Sequence, residues 1–217
     1  MSLPPFLQSE QLLDMGIDHG LGTRRSCLAD VPGLIQVTQV HGSRMVEVPP
    51  PESDMRADAL WTREPGVAVG VRTADCVPVL IVDSTRRAVA AIHAGWRGSA
   101  ARISELGAKG LARTIQVAPE QLIAVIGPHI GPCCYEVDAP VRAAIEVEDV
   151  FTPSTREGHY RLNLYCLNRL QLLRAGLRPD RILRVGGCTS CDETTYASYR
   201  RDGSEGRMMS FVRMPVP

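Results

Sequence analysis

The stretch "VPVLIVDSTRRAVAAIHAGWRGSA", residues 77–100, decides the fold. Residues 77–83 and 88–94 are nearly all apolar, without the polar alternation of a half-exposed strand. Such runs read as strands covered on both faces. The second run ends in His93. Glycines then space Trp96 and Arg97 in a turn that leads toward a helix. Ser99 reads as the helix cap, and the stripe Ile103, Leu106, Gly110, Leu111 and Thr114 predicts a helix over 99–116. A buried strand feeding a helix through glycines points to an α/β protein.

Working outward, residues 34–41 alternate, with Ile35, Val37, Gln39 and His41 on one face. Residues 44–48 read as the hairpin partner of that strand across His41-Gly42-Ser43. A loop follows over 49–56, then strands over 57–62 and 67–72. Residues 122–127 form another buried strand. Helices are expected over 139–147 and 163–176, the second ended by Gly176. Strands over 181–187 and 207–214 close the chain. There is no internal repeat or low-complexity linker, so a single domain over 1–217, with a mixed sheet covered by helices, is expected.

The composition excludes several classes. The chain has 217 residues and 44% hydrophobic content, enough for a full core. Its formal net charge is zero, which argues against a nucleic-acid or membrane-surface partner. Lys109 is the single lysine among 24 basic residues, so a Schiff-base mechanism would have to use a mid-helix lysine. Residues 1–16 do not read as a signal peptide, and the apolar runs are far too short to span a membrane. Seven cysteines in a chain of this length suggest the reduced thiols of the cytoplasm.

Five histidines narrow the chemistry. His41 and His93 stand where expected strands end in glycine turns, and Cys76 lies between two buried strands. Strand ends of open sheets are where ligands bind. Two imidazoles and a thiolate suit a divalent metal with one position left open. Taken singly, each residue is more simply read as an ordinary structural one, and spacing does not bring the three together. "CTSC" (188–191) is one pair where a zinc ribbon needs two. Cys133 and Cys134 are adjacent and look too tight to chelate. These four thiols read as structural. The turn at Gly95, Trp96, Arg97 and Gly98 suggests an anion cradle, with Arg97 as clamp and Trp96 stacking on a ring or sealing the turn. Arg200, Arg201 and Arg207, near two tyrosines, suggest a second wall, although a solvated basic turn explains them too.

Six motifs, "QVHG" (39–42), "ADA" (57–59), "TADCVPVL" (73–80), "HAGWRG" (93–98), "IGPHIGPCCYEV" (126–137) and "SYRRDG…GR" (198–207), occur in this order. On them the chain resembles the YfiH-type family of laccase-domain proteins, known as polyphenol oxidases and as purine nucleoside phosphorylases. The resemblance implies a single-domain four-layer α/β/β/α sandwich with mixed sheets. It implies His41, Cys76 and His93 as metal ligands. The implied activity is phosphorolysis of adenosine, inosine and methylthioadenosine, with adenosine deamination beside it, so the partners would be a nucleoside and phosphate.

Within that frame Cys76, His93 and Asp75 are the catalytic candidates, Asp75 as proton carrier or orienter. Arg97, Gly95, Gly98, Trp96, Arg24, Arg200 and Arg207 are the substrate- and phosphate-binding candidates. The N-terminal region is shorter than the family pattern, running almost directly from Arg24 to the first strand. Five histidines without a His-x-His pair cannot build a trinuclear copper cluster, so zinc is the expected metal and a single copper the alternative. Two other readings use the same residues: a Cys-His thiol hydrolase or peptidoglycan-editing factor, and a metal-holding partner without enzymatic activity.

Overall fold

The computed structural model describes residues 3–48, 55–203 and 206–216. Most of the loop expected over 49–56 lies outside the described residues. In chain order the strands are β1 (Phe6–Leu7), β2 (Asp18–Gly22), β3 (Leu34–Ile35), β4 (Met45–Glu47), β5 (Ala59–Thr62), β6 (Ala68–Thr73) and β7 (Val77–Asp83). They continue as β8 (Val89–Ala94), β9 (Leu122–Ile126), β10 (Glu136–Val137), β11 (Phe151–Pro153), β12 (Tyr160–Leu162), β13 (Ile182–Arg184) and β14 (Met208–Arg213). The helices are α1 (Glu10–Asp14), α2 (Trp96–Ala100), α3 (Ile103–Ile115), α4 (Ala139–Ala143), α5 (Leu164–Arg174) and α6 (Tyr199–Asp202).

Two mixed sheets make the body of a sandwich. One has the order β13-β9-β7-β8-β5-β4, the other β1-β2-β14-β6-β3. The apolar runs of the opening stretch pair as the antiparallel hairpin β7–β8, with Val77 opposite Ala94 and Val82 opposite Val89. Each strand divides its side chains between two cores, as the period of two demands. Val77, Val79 and Ile81 face α3 and α5, together with Ile92 and Ala124. Leu80, Val82, Val89, Ala91 and Val125 face the other sheet, where Val69, Val71 and Val212 meet them. This two-sided cover explains why β7 and β8 lack polar alternation. Helix α3 sits close on β8 because Gly107 has no side chain; a Cβ there would lie 2.8 Å from Ile92 Cδ1. On the far side of the five-stranded sheet, Val31 packs against Ala68 and Phe211 beside the short 3-10 turn Leu28–Asp30, so the outermost layer is thin. The fold is thus the expected α/β/β/α sandwich. No helix among the described residues is long and apolar enough to cross a membrane.

Three local expectations need correction. Residues 34–41 and 44–48 do not form a hairpin. β3 runs parallel to β6 in one sheet, while β4 runs parallel to β5 in the other. The chain changes sheets between them. The helix expected over 99–116 begins earlier, with Gly95 at its cap, and breaks at Ala101–Arg102, where Arg102 has a left-handed backbone (φ 61°). Ser99 is buried instead, and its hydroxyl and carbonyl accept hydrogen bonds from Asn168 and Gln171 of α5. The buried face of α3 holds Ile103, Gly107, Ala108, Leu111 and Ile115, whereas Leu106 is 49% exposed. A third sheet, β10-β12-β11, lies in a region read only as helix and loop.

Leu80, fully buried between the sheets, should be the sensitive core position. Leu80→Ala is expected to lower unfolding stability by about 2–5 kcal/mol, read from the urea midpoint at unchanged slope.

Candidate metal centre and its cavity

His41, Cys76 and His93 come from three separate segments, and their ligand atoms all lie within 4.8 Å of one another. His93 lies near the end of β8. His41 and Cys76 sit on the connections β3–β4 and β6–β7, each of which carries the chain from one sheet to the other. The two imidazoles meet edge to face at 4.8 Å between centroids. His41 (φ 60°) and Asp75 (φ 82°) both hold left-handed backbone, sparsely populated for residues with side chains. Gly95 leaves room for the cluster. A Cβ there would stand 3.0 Å from Cys76 Sγ and 3.1 Å from His41 Cδ2. Gly98 serves packing, since a Cβ would meet the Gly42 carbonyl oxygen at 2.8 Å.

Asp58 organises the three, and sequence reasoning assigned it no role. Its carboxylate is fully buried and accepts from the amides of Val40, His41 (2.8 Å) and Gly42 (2.6 Å). It also receives His93 Nδ1 at 2.9 Å, which leaves Nε2 as the ring atom that could bind a metal. A carboxylate behind an imidazole is the usual outer support of a metal-binding histidine. Burial pushes the Asp58 carboxyl up, but the His93 ring and the loop amides outweigh it and hold it low. Burial lowers His93, yet its bonds to Asp58 and Cys76 raise it to about 9. Burial raises Cys76, and His41 and His93 bring it down to about 7. The donor set of two imidazoles and a readily formed thiolate fits a divalent metal such as zinc. The only sequence signal for Asp58 was an acid in an otherwise apolar strand start.

Asp75 holds the walls together. Its carboxylate accepts from Thr189 Oγ1 and from the Arg200 amide, both at 2.6 Å. Its carbonyl accepts from the Ile130 amide at 3.0 Å. With both oxygens engaged, Asp75 orients neighbouring segments. Above the cluster opens a cavity of about 1100 Å³. His41, Asp75, Cys76, His93, Trp96, Arg97, Arg200 and Arg207 all line it, and Tyr135, Tyr199 and Arg72 join them. The Arg97 guanidinium stacks 4.4 Å over the Trp96 ring, and that of Arg200 lies 5.1 Å over Tyr135. Arg24 is not part of this lining; its guanidinium donates to the Glu193 carbonyl. Arg201 is spent on Asp202 and on the carbonyls of Thr189, Ser190 and Tyr196.

The other histidines lie elsewhere. His19 accepts from the Ser9 amide, and His129 bonds the Gly127 carbonyl; both are buried. His159 bonds the Glu157 carbonyl in an exposed turn. The thiols read as separate structural residues do come together: Cys133, Cys134, Cys188 and Cys191 form the second group of metal-capable side chains among the described residues.

A two-sheet sandwich with a two-histidine, one-cysteine donor set at its strand ends defines the class. Residues 23–215 match the family described as multi-copper polyphenol oxidoreductase laccase, and the chain belongs to that YfiH-type family. A purine nucleoside phosphorylase of Pseudomonas aeruginosa is 40% identical over 180 residues, covering 80% of this chain and 71% of that protein. The purine nucleoside phosphorylase YfiH of Escherichia coli is 34% identical over 225 residues, covering 98% and 88% respectively. The crystal structure of a Bacillus licheniformis hypothetical protein YfiH superposes with a TM-score of 0.89 at 29% identity, covering 97% of both chains. YlmD of Geobacillus stearothermophilus follows with 0.87 at 29% identity, covering 98% of this chain and 99% of the other.

Replacing Asp58 removes the charge behind His93 and leaves the ligands in place. Asp58→Asn is expected to weaken zinc affinity by about 10–100-fold in a chelator competition.

Proposed function

We propose that this protein is a metal-dependent purine nucleoside phosphorylase acting on adenosine, inosine and methylthioadenosine, with adenosine deamination as a side activity. One observation carries the reading: a single cavity joins the His41–Cys76–His93 donor set to Trp96, Tyr135 and Tyr199 and to the guanidinium groups of Arg97, Arg200 and Arg207. Planar rings suit a purine, and guanidinium groups suit phosphate. Relatives named purine nucleoside phosphorylase support the same assignment. Zinc is the metal proposed, since nitrogen and sulfur donors with an open position match it; a single copper is the alternative.

When bound, the metal supplies Lewis acidity at a position open to the cavity. The remaining work falls to the chain. Aromatic rings hold the base, and Arg97 with the tail arginines holds phosphate for attack on the anomeric carbon. Asp58 fixes the His93 ring, while Asp75 positions the Thr189 and Arg200 segments. Ile35, Val37, Ile130 and Leu164 supply the apolar lining that limits water. The proposed partners are therefore small molecules, in the cytoplasm, with no nucleic acid or membrane surface.

The low Cys76 thiol beside two imidazoles favours a second reading, a thiol hydrolase of the Cys-His type. The two readings separate in one assay. Zinc-loaded protein given inosine and inorganic phosphate should release hypoxanthine, and omitting phosphate should stop it. Cys76→Ala and His41→Ala should each lower the rate by about 100-fold or more. Arg97→Met should raise KM for phosphate about 10-fold, the loss of one charge-assisted hydrogen bond. Absence of release by zinc-loaded protein, or an unchanged rate in Cys76→Ala, rejects the phosphorylase. Hydrolysis by chelated protein that alkylation abolishes would establish the thiol enzyme instead.

A further inference from the structure

Cys133, Cys134, Cys188 and Cys191 share no residue with the centre described above. Their four sulfurs all lie within 4.8 Å of one another, and Cys191 Sγ stands 3.4 Å from both Cys133 Sγ and Cys134 Sγ. A zinc ion bonded to four thiolates at about 2.3 Å spaces its sulfurs about 3.8 Å apart. The observed cluster brackets that spacing. Disulfide bonding would join these thiols in pairs and would not require all four at one point.

The surroundings are built for the group. The Gly131 amide donates to Cys188 Sγ at 3.1 Å, the kind of bond that steadies a thiolate. A Cβ on Gly131 would sit 3.1 Å from Cys133 Sγ and 3.2 Å from Cys188 Cβ, so glycine keeps the pocket open. The two cysteine pairs reach each other because β9 and β13 run parallel, and the pairing extends beyond their ends through a bridge between His129 and Cys188. Arg161 and Arg201 donate to backbone carbonyls of the two cysteine loops, setting positive charge against each.

We propose that these four cysteines bind a second, structural zinc ion. Four soft thiolates in a compact set select zinc or iron over hard cations, and a closed ligand set leaves no position for substrate. The ion would clamp the loop after β9 to the loop after β13. Tyr135 follows Cys134 directly and lines the cavity; Thr189 follows Cys188 directly and holds Asp75. The clamp would therefore fix two walls of the substrate cavity without touching substrate.

Metal content per chain tests this independently of any activity. Protein purified under reducing conditions with zinc present should carry two equivalents. Cys76→Ala should lose one and keep one, whose zinc-edge X-ray absorption shows four sulfurs at about 2.3 Å. The double variant Cys188→Ser, Cys191→Ser should lose the other equivalent. If that variant does not fold, the wild-type and Cys76→Ala measurements still decide. Complete loss of zinc in folded Cys76→Ala overturns the proposal. So does iron in place of zinc at the four sulfurs, or four thiols freely alkylated or disulfide-bonded in protein prepared with zinc under reducing conditions.

Discussion

One buried carboxylate governs the site. Asp58 gathers three consecutive loop amides and one imidazole around two oxygens. A charge withdrawn from water in this way is costly unless it is fully bonded. That requirement fixes the left-handed turn at His41 and the ring orientation of His93 together. The His41 turn is then held from its other side by helix α2, which approaches so closely that residue 98 must be glycine. Helix α2 is in turn fastened to α5 through Ser99, Asn168 and Gln171.

Asp75 plays the corresponding part on the opposite wall. Its peptide and side chain reach the loop after β9, the loop after β13 and the start of α6. Arg200 is brought to the cavity through its own backbone amide. Arg201, one residue on, instead braces the loop after β13 through the carbonyls of Thr189, Ser190 and Tyr196. Two adjacent arginines in one motif thus have different work, one facing the cavity and one holding its wall.

The sequence was most legible where burial alone decides structure. The runs 77–83, 88–94 and 122–127 could be read as strands because both faces of each are covered. It was least legible where partners come from afar. Residues 34–41 and 44–48 carry an alternating pattern, but no local signal says that they belong to different sheets. Ser99 has the chemistry of a cap, and its actual partners lie on α5. Asp58 looked like one more acid because its role depends on a turn and a strand end brought together in space. The four cysteines looked unsuited to a common site because their pairs meet only through the parallel pairing of β9 with β13.

Two of the three cluster residues lie on connections that pass between the sheets, and the third lies near the end of a strand of the six-stranded sheet. The cluster is therefore sewn across the seam of the sandwich. Sliding one sheet along the other by a single residue would part the three donors by more than a bond length. Bound metal would act as a gauge of alignment, held firmly only when both layers are in register. Conversely, filling the cluster would favour the aligned sandwich over partly slipped forms, since a ligand stabilises only the state that binds it. A metal held there would also be the pin that keeps the layers from drifting.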